Sequence, residues 1–187
     1  SPANRNALSP RLVHELTEAL TRAESDDTAR CVVLTHTGST FCAGADLTSP
    51  PVPGAERKSP ADAVTDLMVA MLAHDKPIVG LVTGHVRAGG MGLVGACDLV
   101  VAGPKADFAL TEVRLGLAAS IVSMTILPRL AGRDAARVFL TGETFDAARA
   151  AELSFVSAAA TTDDGLVSEL KQLTDAFAHC SPQGLRE

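Results

Sequence analysis

A glycine-rich segment between two apolar runs constrains this chain more than any other feature. Five of the twelve residues from Gly84 to Gly95 are glycine. Ile78–Val82 before the segment and Leu99–Ala102 after it are apolar runs rich in β-branched residues, as is typical of buried strands. Glycine lets a backbone adopt positive φ and approach a ligand closely. The segment therefore indicates either a tightly packed helix or a loop that presents backbone N–H groups at a helix start.

Part of this segment, Gly90 to Gly95, has the G-x-G-x-x-G spacing of dinucleotide-binding loops. That fingerprint needs a strand running into the first glycine, a full helix after it, and an acid ending the next strand. Here the preceding strand ends at Val82, well before Gly90. The next strand begins near Leu99, which leaves too little room for a full helix, and no acidic residue stands at its end. A nicotinamide site is disfavoured, and a P-loop is excluded because no Gly-Lys-Ser/Thr follows.

Apolar periodicity and capping residues predict alternating helices and strands, which favours a parallel α/β core in one domain. A long stretch without regular helices or strands is expected over 36–59. Helices are predicted over 10–24, from 60 through 72, over 120–130, 134–140 and 146–153, and from 163 or 164 to 179; strands are predicted over 31–35, 78–82, 99–102, 108–110 and 155–157.

Composition excludes several classes of partner. The net charge is −6 and the chain has no Trp, no Tyr and only 6 Phe, which argues against nucleic-acid binding. No run approaches the length of a membrane span. The four cysteines show no Cys-x-x-Cys pair, and Cys180 alone has a His beside it, so no metal site is expected. The absence of a signal-like start predicts a cytoplasmic protein with reduced thiols.

A second stretch of small residues follows the predicted strand over 31–35. Ala43, Gly44 and Ala45 leave the backbone open to a ligand, and Asp46 is interpreted as a helix cap. Together with the glycine-rich segment, this stretch provides a second candidate source of backbone donors.

Five segments, in order along the chain, resemble the motifs of the crotonase superfamily, which contains the enoyl-CoA hydratases and isomerases. They cover nearly the whole sequence. The segments are Arg5 to Ser9, Phe41 to Leu47, Gly84 to Leu93 with Ala96 to Leu99, Phe108 to Gly116, and Leu140 to Glu143.

The resemblance implies an α/β fold with a crotonase-type ββα spiral core and surrounding helices, in a single domain over residues 1–187. It also implies a homotrimer or a dimer of trimers. On the same basis we expect part of the family's N-terminal strand and its C-terminal trimerisation helices to be missing from this sequence.

The resemblance further implies an acyl-CoA thioester as substrate, with no separate cofactor. Its enolate would be stabilised by the backbone N–H groups of Ala45 and Gly89, and Glu112 would move the proton. Two such donors suffice because the negative charge develops on one oxygen. The other residues expected to contact the substrate or its CoA are Arg5, Ala7, Ala43, Asp46, Leu47, Thr48, Gly92 and Ser120.

One departure from the family bears on the reaction. Hydratases of this family usually carry two glutamates, and the first falls at Gly92 here while the second is Glu112. We therefore expect an enoyl-CoA hydratase, with a Δ3,Δ2-enoyl-CoA isomerase that uses Glu112 alone as the alternative. A catalytically weak acyl-CoA-binding protein is a third hypothesis.

Overall fold

The computed structural model describes residues 1–46 and 59–186, with two four-stranded sheets surrounded by helices. Of the expected site residues, Leu47 and Thr48 lie outside this described part. The α-helices are α1 (Pro10–Ser25), α2 (Pro60–Leu72), α3 (Gly89–Ala96), α4 (Ser120–Ile126), α5 (Gly132–Thr141), α6 (Ala147–Glu152), α7 (Asp163–Ala178) and α8 (Pro182–Arg186). The strands are β1 (Val32–Leu34), β2 (Thr40–Cys42), β3 (Ile78–Val82), β4 (His85–Arg87), β5 (Leu99–Ala102), β6 (Asp107–Ala109), β7 (Phe145–Asp146) and β8 (Ala158–Ala159).

Parallel pairing dominates both sheets. The first has the order β1-β3-β5-β8 and is parallel throughout. The second has the order β2-β4-β6-β7, and only the β6–β7 pair is antiparallel. Consecutive strands of the chain thus alternate between the two sheets from β1 to β6. Parallel neighbours leave their sheet at the same edge, so the segments that follow β2, β4 and β6 lie side by side.

Helix starts follow the sequence signals closely. Ser9 caps α1 by accepting a 3.2 Å hydrogen bond from the Leu12 N–H, and Pro10 stands at the first helical position. Ser59 and Asp62 form a reciprocal capping box at the start of α2. No helix among the described residues is long and apolar enough to cross a membrane.

The core joins the second sheet to α2, α3 and α4. Met68 and Met91 are fully buried, and Phe108 stacks on Phe145 with ring centroids 5.6 Å apart. Residues 90–96 of α3 are all buried, so this short apolar helix is enclosed by protein. The glycines of α3 permit this enclosure because neighbouring groups fill the space that side chains would take.

Most of the predicted elements are confirmed, including the parallel α/β core and the strands at 78–82 and 99–102. Three details differ from the predictions. The stretch over 36–59, expected to be irregular, contains β2, and β4 is a strand that was not predicted. The strand expected over 155–157 is displaced, because residues 154–157 turn and pairing with β5 occurs at Ala158–Ala159.

Candidate active site

Three backbone segments that carry predicted site residues meet at one sheet edge. The segment after β2 carries Ala45, the segment after β4 carries Gly89, and the segment after β6 carries Glu112. Because β2, β4 and β6 are consecutive parallel neighbours, all three segments leave the carboxyl edge of the same sheet. Ligand sites in parallel sheets form at such edges. The fold therefore places the segments of the three residues expected to act on the thioester along one sheet edge.

The first backbone donor is the N–H of Ala45. The preceding residue, Gly44, has φ of 94°, and its carbonyl accepts a 2.7 Å hydrogen bond from the Leu8 N–H. In a trans peptide the C=O and the following N–H point in opposite directions. The Ala45 N–H therefore points away from Leu8. Within residues 1–46 and 59–186 it has no hydrogen-bond acceptor.

The second backbone donor is the N–H of Gly89, the first residue of α3. Ala88 before it has the rare combination φ 49° and ψ −119°. Its N–H donates to the Ala109 carbonyl at 3.1 Å, and its carbonyl accepts from the Met91 N–H at 2.9 Å. No acceptor for the Gly89 N–H lies in the part of the chain that the structure describes. A strained backbone held by hydrogen bonds on both sides is a common feature of functional sites.

The two donors lie close together. The Ala45 nitrogen is 3.8 Å from the point that a Cβ on Gly89 would occupy. The Gly89 nitrogen is 3.3 Å from the corresponding point on Gly44. With ordinary bond lengths, the two nitrogens are within about 6 Å of each other, close enough to share one acceptor oxygen.

Glu112 supplies a titratable group at the same edge. It begins a 3-10 helix over Glu112–Leu115, and its half-buried side chain has one buried oxygen, Oε2, with no hydrogen-bond partner. Burial raises the pKa of this carboxyl above its ordinary value, against a smaller lowering by its own backbone N–H. A raised pKa suits a group that must both accept and return a proton near neutral pH.

Gly92 is enclosed, unlike Ala45, Gly89 and Glu112. A Cβ at this position would lie 2.7 Å from both Met68 Sδ and Val122 Cγ1. Its carbonyl accepts a 3.0 Å hydrogen bond from the Thr125 hydroxyl. The space in which a second glutamate would begin is therefore filled by side chains from α2 and α4.

The residues expected to hold the substrate and its CoA occupy different environments. Arg5 and Ala45 are exposed, whereas Ala43 and Asp46 are half-buried. The segments that carry Arg5 and Ala45 lie next to each other, because the Ala43 N–H donates to the Arg5 carbonyl. Ala7 is buried at 7% exposure. Ser120 is exposed at the first turn of α4, and its carbonyl accepts from the Ser123 hydroxyl.

The sequence analysis missed Asn6. Its buried side-chain amide donates to the carbonyls of Thr37 and Thr40 at 3.0 and 2.6 Å, just before and at the start of β2. Asn6 has φ of 53° and follows Arg5 at 57°. Asparagine is one of the few residues that tolerate such values, which is the signal in the sequence that points to it.

Two further features lie outside this constellation. Asp107 Oδ1 pairs with Arg87 at 2.7 Å and with His85 at 2.8 Å across β4 and β6. A cavity of about 680 Å³ lies beside α1 and β1 and reaches Cys42 and Leu93, but Ala45, Gly89 and Glu112 do not line it. No group of side chains in the described residues could hold a metal ion.

Comparison with known proteins decides the family. The family model described as "Enoyl-CoA hydratase/isomerase" matches residues 1–187.

The chain belongs to the enoyl-CoA hydratase/isomerase family. This confirms the resemblance to the crotonase superfamily and the α/β fold that it implied.

Relatives within the family act on different CoA esters, as their names state. The 2,3-dehydroadipyl-CoA hydratase of Escherichia coli is 33% identical over 189 residues, which are 99% of this chain and 72% of the relative. The 4-chlorobenzoyl coenzyme A dehalogenase-2 of an Arthrobacter species is 36% identical over 162 residues, covering 83% of this chain and 59% of the relative.

A solved structure agrees with these matches. The crystal structure of an enoyl-CoA hydratase from Mycobacterium avium superposes with a TM-score of 0.88 and 49% sequence identity. It matches 100% of this chain and 71% of that one. Membership of this family makes the protein an enzyme of the hydratase/isomerase class.

Proposed function

We propose that this enzyme binds an acyl-CoA thioester and stabilises its enolate through the N–H groups of Ala45 and Gly89, with Glu112 as the proton-transferring group. The observation that carries the proposal is that two backbone donors, without an acceptor among the described residues, and a half-buried carboxyl lie at one sheet edge. The reaction that we favour is addition of water to a 2-enoyl-CoA.

The physical basis is charge development on one atom. Attack on the double bond of a 2-enoyl thioester moves electrons onto the carbonyl oxygen, and two fixed donors stabilise the oxyanion. Losing one such donor costs about 3 kcal/mol in known cases. Alanine and glycine suffice at positions 45 and 89 because only their main-chain N–H groups are used.

Glu112 would perform both proton transfers in hydration. It accepts a proton from the attacking water while the water oxygen bonds to the β-carbon. The electrons of the double bond pass to the thioester oxygen, and Glu112 then returns the proton to the α-carbon as the carbonyl re-forms. The raised pKa of this carboxyl supports the second step, because its protonated form is accessible near neutral pH.

The filled space at Gly92 favours a second candidate function. With Met68 and Val122 closing that position, Glu112 is the one carboxylate that the family motifs assign to proton transfer. A single carboxylate is sufficient to move a proton between two carbons. In a Δ3,Δ2-enoyl-CoA isomerase, Glu112 would take a proton from C2 of a 3-enoyl thioester and return it at C4.

Turnover of two substrates separates these functions. The protein is incubated with a 2-enoyl-CoA and, separately, with a 3-enoyl-CoA, and the products are resolved chromatographically. Formation of a 3-hydroxyacyl-CoA from the 2-enoyl substrate supports the hydratase, and migration of the double bond in the 3-enoyl substrate supports the isomerase. Binding of both without turnover would leave only an acyl-CoA-binding protein.

Glu112→Gln provides the matched control, since it keeps the size of the side chain and removes the titratable group. We expect kcat to fall by about 10²–10⁴-fold while CoA ester binding is retained. Unchanged kcat in this variant would remove Glu112 from the mechanism.

The trimeric assembly and the cytoplasmic location remain predictions from the sequence.

A further inference from the structure

We propose that Asn6 is a positioning residue that sets the direction of the Ala45 N–H by clamping both ends of β2 to the segment 5–8. This inference rests on the proposed function, because it assigns a role to Asn6 only if Ala45 donates to the thioester oxygen. Nothing in the motif that contains Asn6 requires it to touch the substrate.

The amino end of β2 is held by the side chain of Asn6. Its Nδ2 donates to the carbonyls of Thr37 and Thr40, which lie 31 and 34 residues away in sequence. The hydrogen bond to the Thr40 carbonyl is buried, and the one to the Thr37 carbonyl is half-buried. Removing the amide would leave the buried Thr40 carbonyl without this donor, which is costly in a protein interior.

The carboxyl end of β2 is held by the backbone on either side of Asn6. The Ala43 N–H donates to the Arg5 carbonyl at 3.1 Å, and the Leu8 N–H donates to the Gly44 carbonyl at 2.7 Å. Leu8 also forms a parallel bridge with Ala45. The segment 5–8 is therefore a template along which the residues after β2 are arranged.

This template reverses the direction of one peptide group. In a regular strand, the N–H of one residue and the C=O of the next point to opposite sides. Here the Ala43 N–H and the Gly44 C=O both point towards the segment 5–8. Positive φ at Gly44 permits this reversal, and the Ala45 N–H is consequently turned to the other side, towards Gly89.

Asn6 connects the two sets of contacts. Consecutive left-handed residues at Arg5 and Asn6 turn the chain so that the Arg5 carbonyl and the Leu8 N–H face β2. The Asn6 amide fixes that turn against residues 37–40. Loss of the amide would loosen the segment 5–8, and with it the Leu8–Gly44 hydrogen bond that orients the Ala45 peptide.

The test measures the stretching frequency of the thioester carbonyl in a bound acyl-CoA. Butyryl-CoA labelled with a heavy isotope at the thioester carbonyl is bound to the protein, and the carbonyl stretching frequency is measured by difference infrared spectroscopy. Two aligned donors lower this frequency in the wild-type protein. In Asn6→Asp, which keeps the shape of the side chain and removes the Nδ2 donor, we expect the shift to shrink and kcat to fall by about 10-fold or more. KM should change far less than kcat.

Asn6→Gly is the second variant. Glycine accepts the positive φ of this position without strain, so the variant tests the amide separately from the backbone conformation. It keeps the inference testable if Asn6→Asp does not fold. We expect it to shrink the carbonyl shift as well.

Lys76→Met is the matched control. Lys76 is buried, and its Nζ donates to two backbone carbonyls, those of Ala23 and Asp26 at 2.5 and 2.6 Å, just as Asn6 Nδ2 does. It acts at the end of α1, away from the segments that follow β2 and β4. This variant should lose stability but retain the full carbonyl shift.

The outcomes distinguish this inference from the proposed function. A wild-type carbonyl shift that persists undiminished in Asn6→Asp and Asn6→Gly would overturn the positioning role and leave the proposed function standing. A shift lost equally in Lys76→Met would also overturn it, since general destabilisation would then explain the loss. Absence of any shift in wild type would overturn the proposed function and this inference together.

Discussion

Gly44 and Gly89 pack backbone against backbone, and a Cβ on either residue would also meet the side chain of a neighbour. A Cβ on Gly44 would lie 2.7 Å from Ala88 Cβ and 3.3 Å from the Gly89 nitrogen. A Cβ on Gly89 would lie 2.7 Å from Leu8 Cδ1 and 3.6 Å from Gly44 Cα. The distance between the two proposed oxyanion donors is set by this contact.

Gly44→Ala should therefore impair both stability and activity. Alanine is strained at φ of 94°, and its methyl group would push the segment that carries Gly89 outwards. We expect a loss of about 1–2 kcal/mol or more in the free energy of unfolding, measured by denaturant titration. At temperatures where the variant remains folded, kcat should still fall about 10²-fold. Wild-type kcat in a folded Gly44→Ala variant would contradict the role of this contact.

The raised pKa of Glu112 predicts a pH-dependent effect on stability. The pKa of Glu112 is higher in the folded protein than in the unfolded chain. The free energy of unfolding therefore falls as the pH rises from the unfolded-state pKa through the folded-state pKa. Glu112→Gln removes this loss. The variant should gain thermal stability relative to wild type at about pH 7, and the gain should shrink towards about pH 3, below the ordinary glutamate pKa of about 4.3, where Glu112 is protonated in both states. Melting temperatures at the two pH values check this, and an equal difference at both would contradict it.

Packing around Gly92 predicts that even a methyl group is harmful there. Gly92→Ala would bring a Cβ within 2.7 Å of Met68 Sδ and Val122 Cγ1, and overpacking of this kind costs about 1–3 kcal/mol. Gly132→Ala is the control, because a Cβ at Gly132 meets nothing within 4 Å. It should change the free energy of unfolding by about 0.5 kcal/mol or less. Equal effects of the two substitutions would contradict the enclosure of Gly92.

The same packing gives a prediction for Gly92→Glu. A glutamate at this position is not predicted to act as a second catalytic carboxylate, because Met68 and Val122 occupy its path. A folded Gly92→Glu variant with increased hydratase activity would show that this space opens.

Two buried cysteines should be chemically inert. Cys42 ends β2, and burial raises the pKa of its thiol to about 11; burial raises that of Cys97 to about 12. Alkylation with iodoacetamide at about pH 7.5, followed by mass spectrometry, should label exposed Cys180 and spare Cys42 and Cys97. Rapid labelling of Cys42 in the folded protein would contradict its burial.

The two stretches that present backbone N–H groups were visible in the sequence as runs of small residues. The assignment of Ala45, Gly89 and Glu112 within their segments came from the resemblance to the family motifs. The strands β2 and β4 were missed because each has three residues and no clear alternation. They form because β6 and each other provide partners, which is information that a local pattern does not contain.

Asn6 shows the other limit of sequence analysis. Its side chain contacts residues 31 and 34 positions away in sequence. Its proposed role depends on a left-handed backbone turn, which asparagine tolerates but which an asparagine alone does not predict. The closure of the Gly92 position is similar, since Met68 and Val122 come from α2 and α4. Tertiary packing places Met68 and Val122 around Gly92, and no local sequence pattern predicts this contact.

The central claim is that two main-chain N–H groups and Glu112 together make the carbon beside a thioester carbonyl acidic. The most direct measurement is exchange of the α-proton of a saturated acyl-CoA in heavy water, followed by mass spectrometry. The account predicts enzyme-catalysed incorporation of deuterium at the α-carbon, reduced by about 10²-fold or more in Glu112→Gln. Exchange no faster than in buffer, or equally fast exchange in wild type and Glu112→Gln, would contradict it.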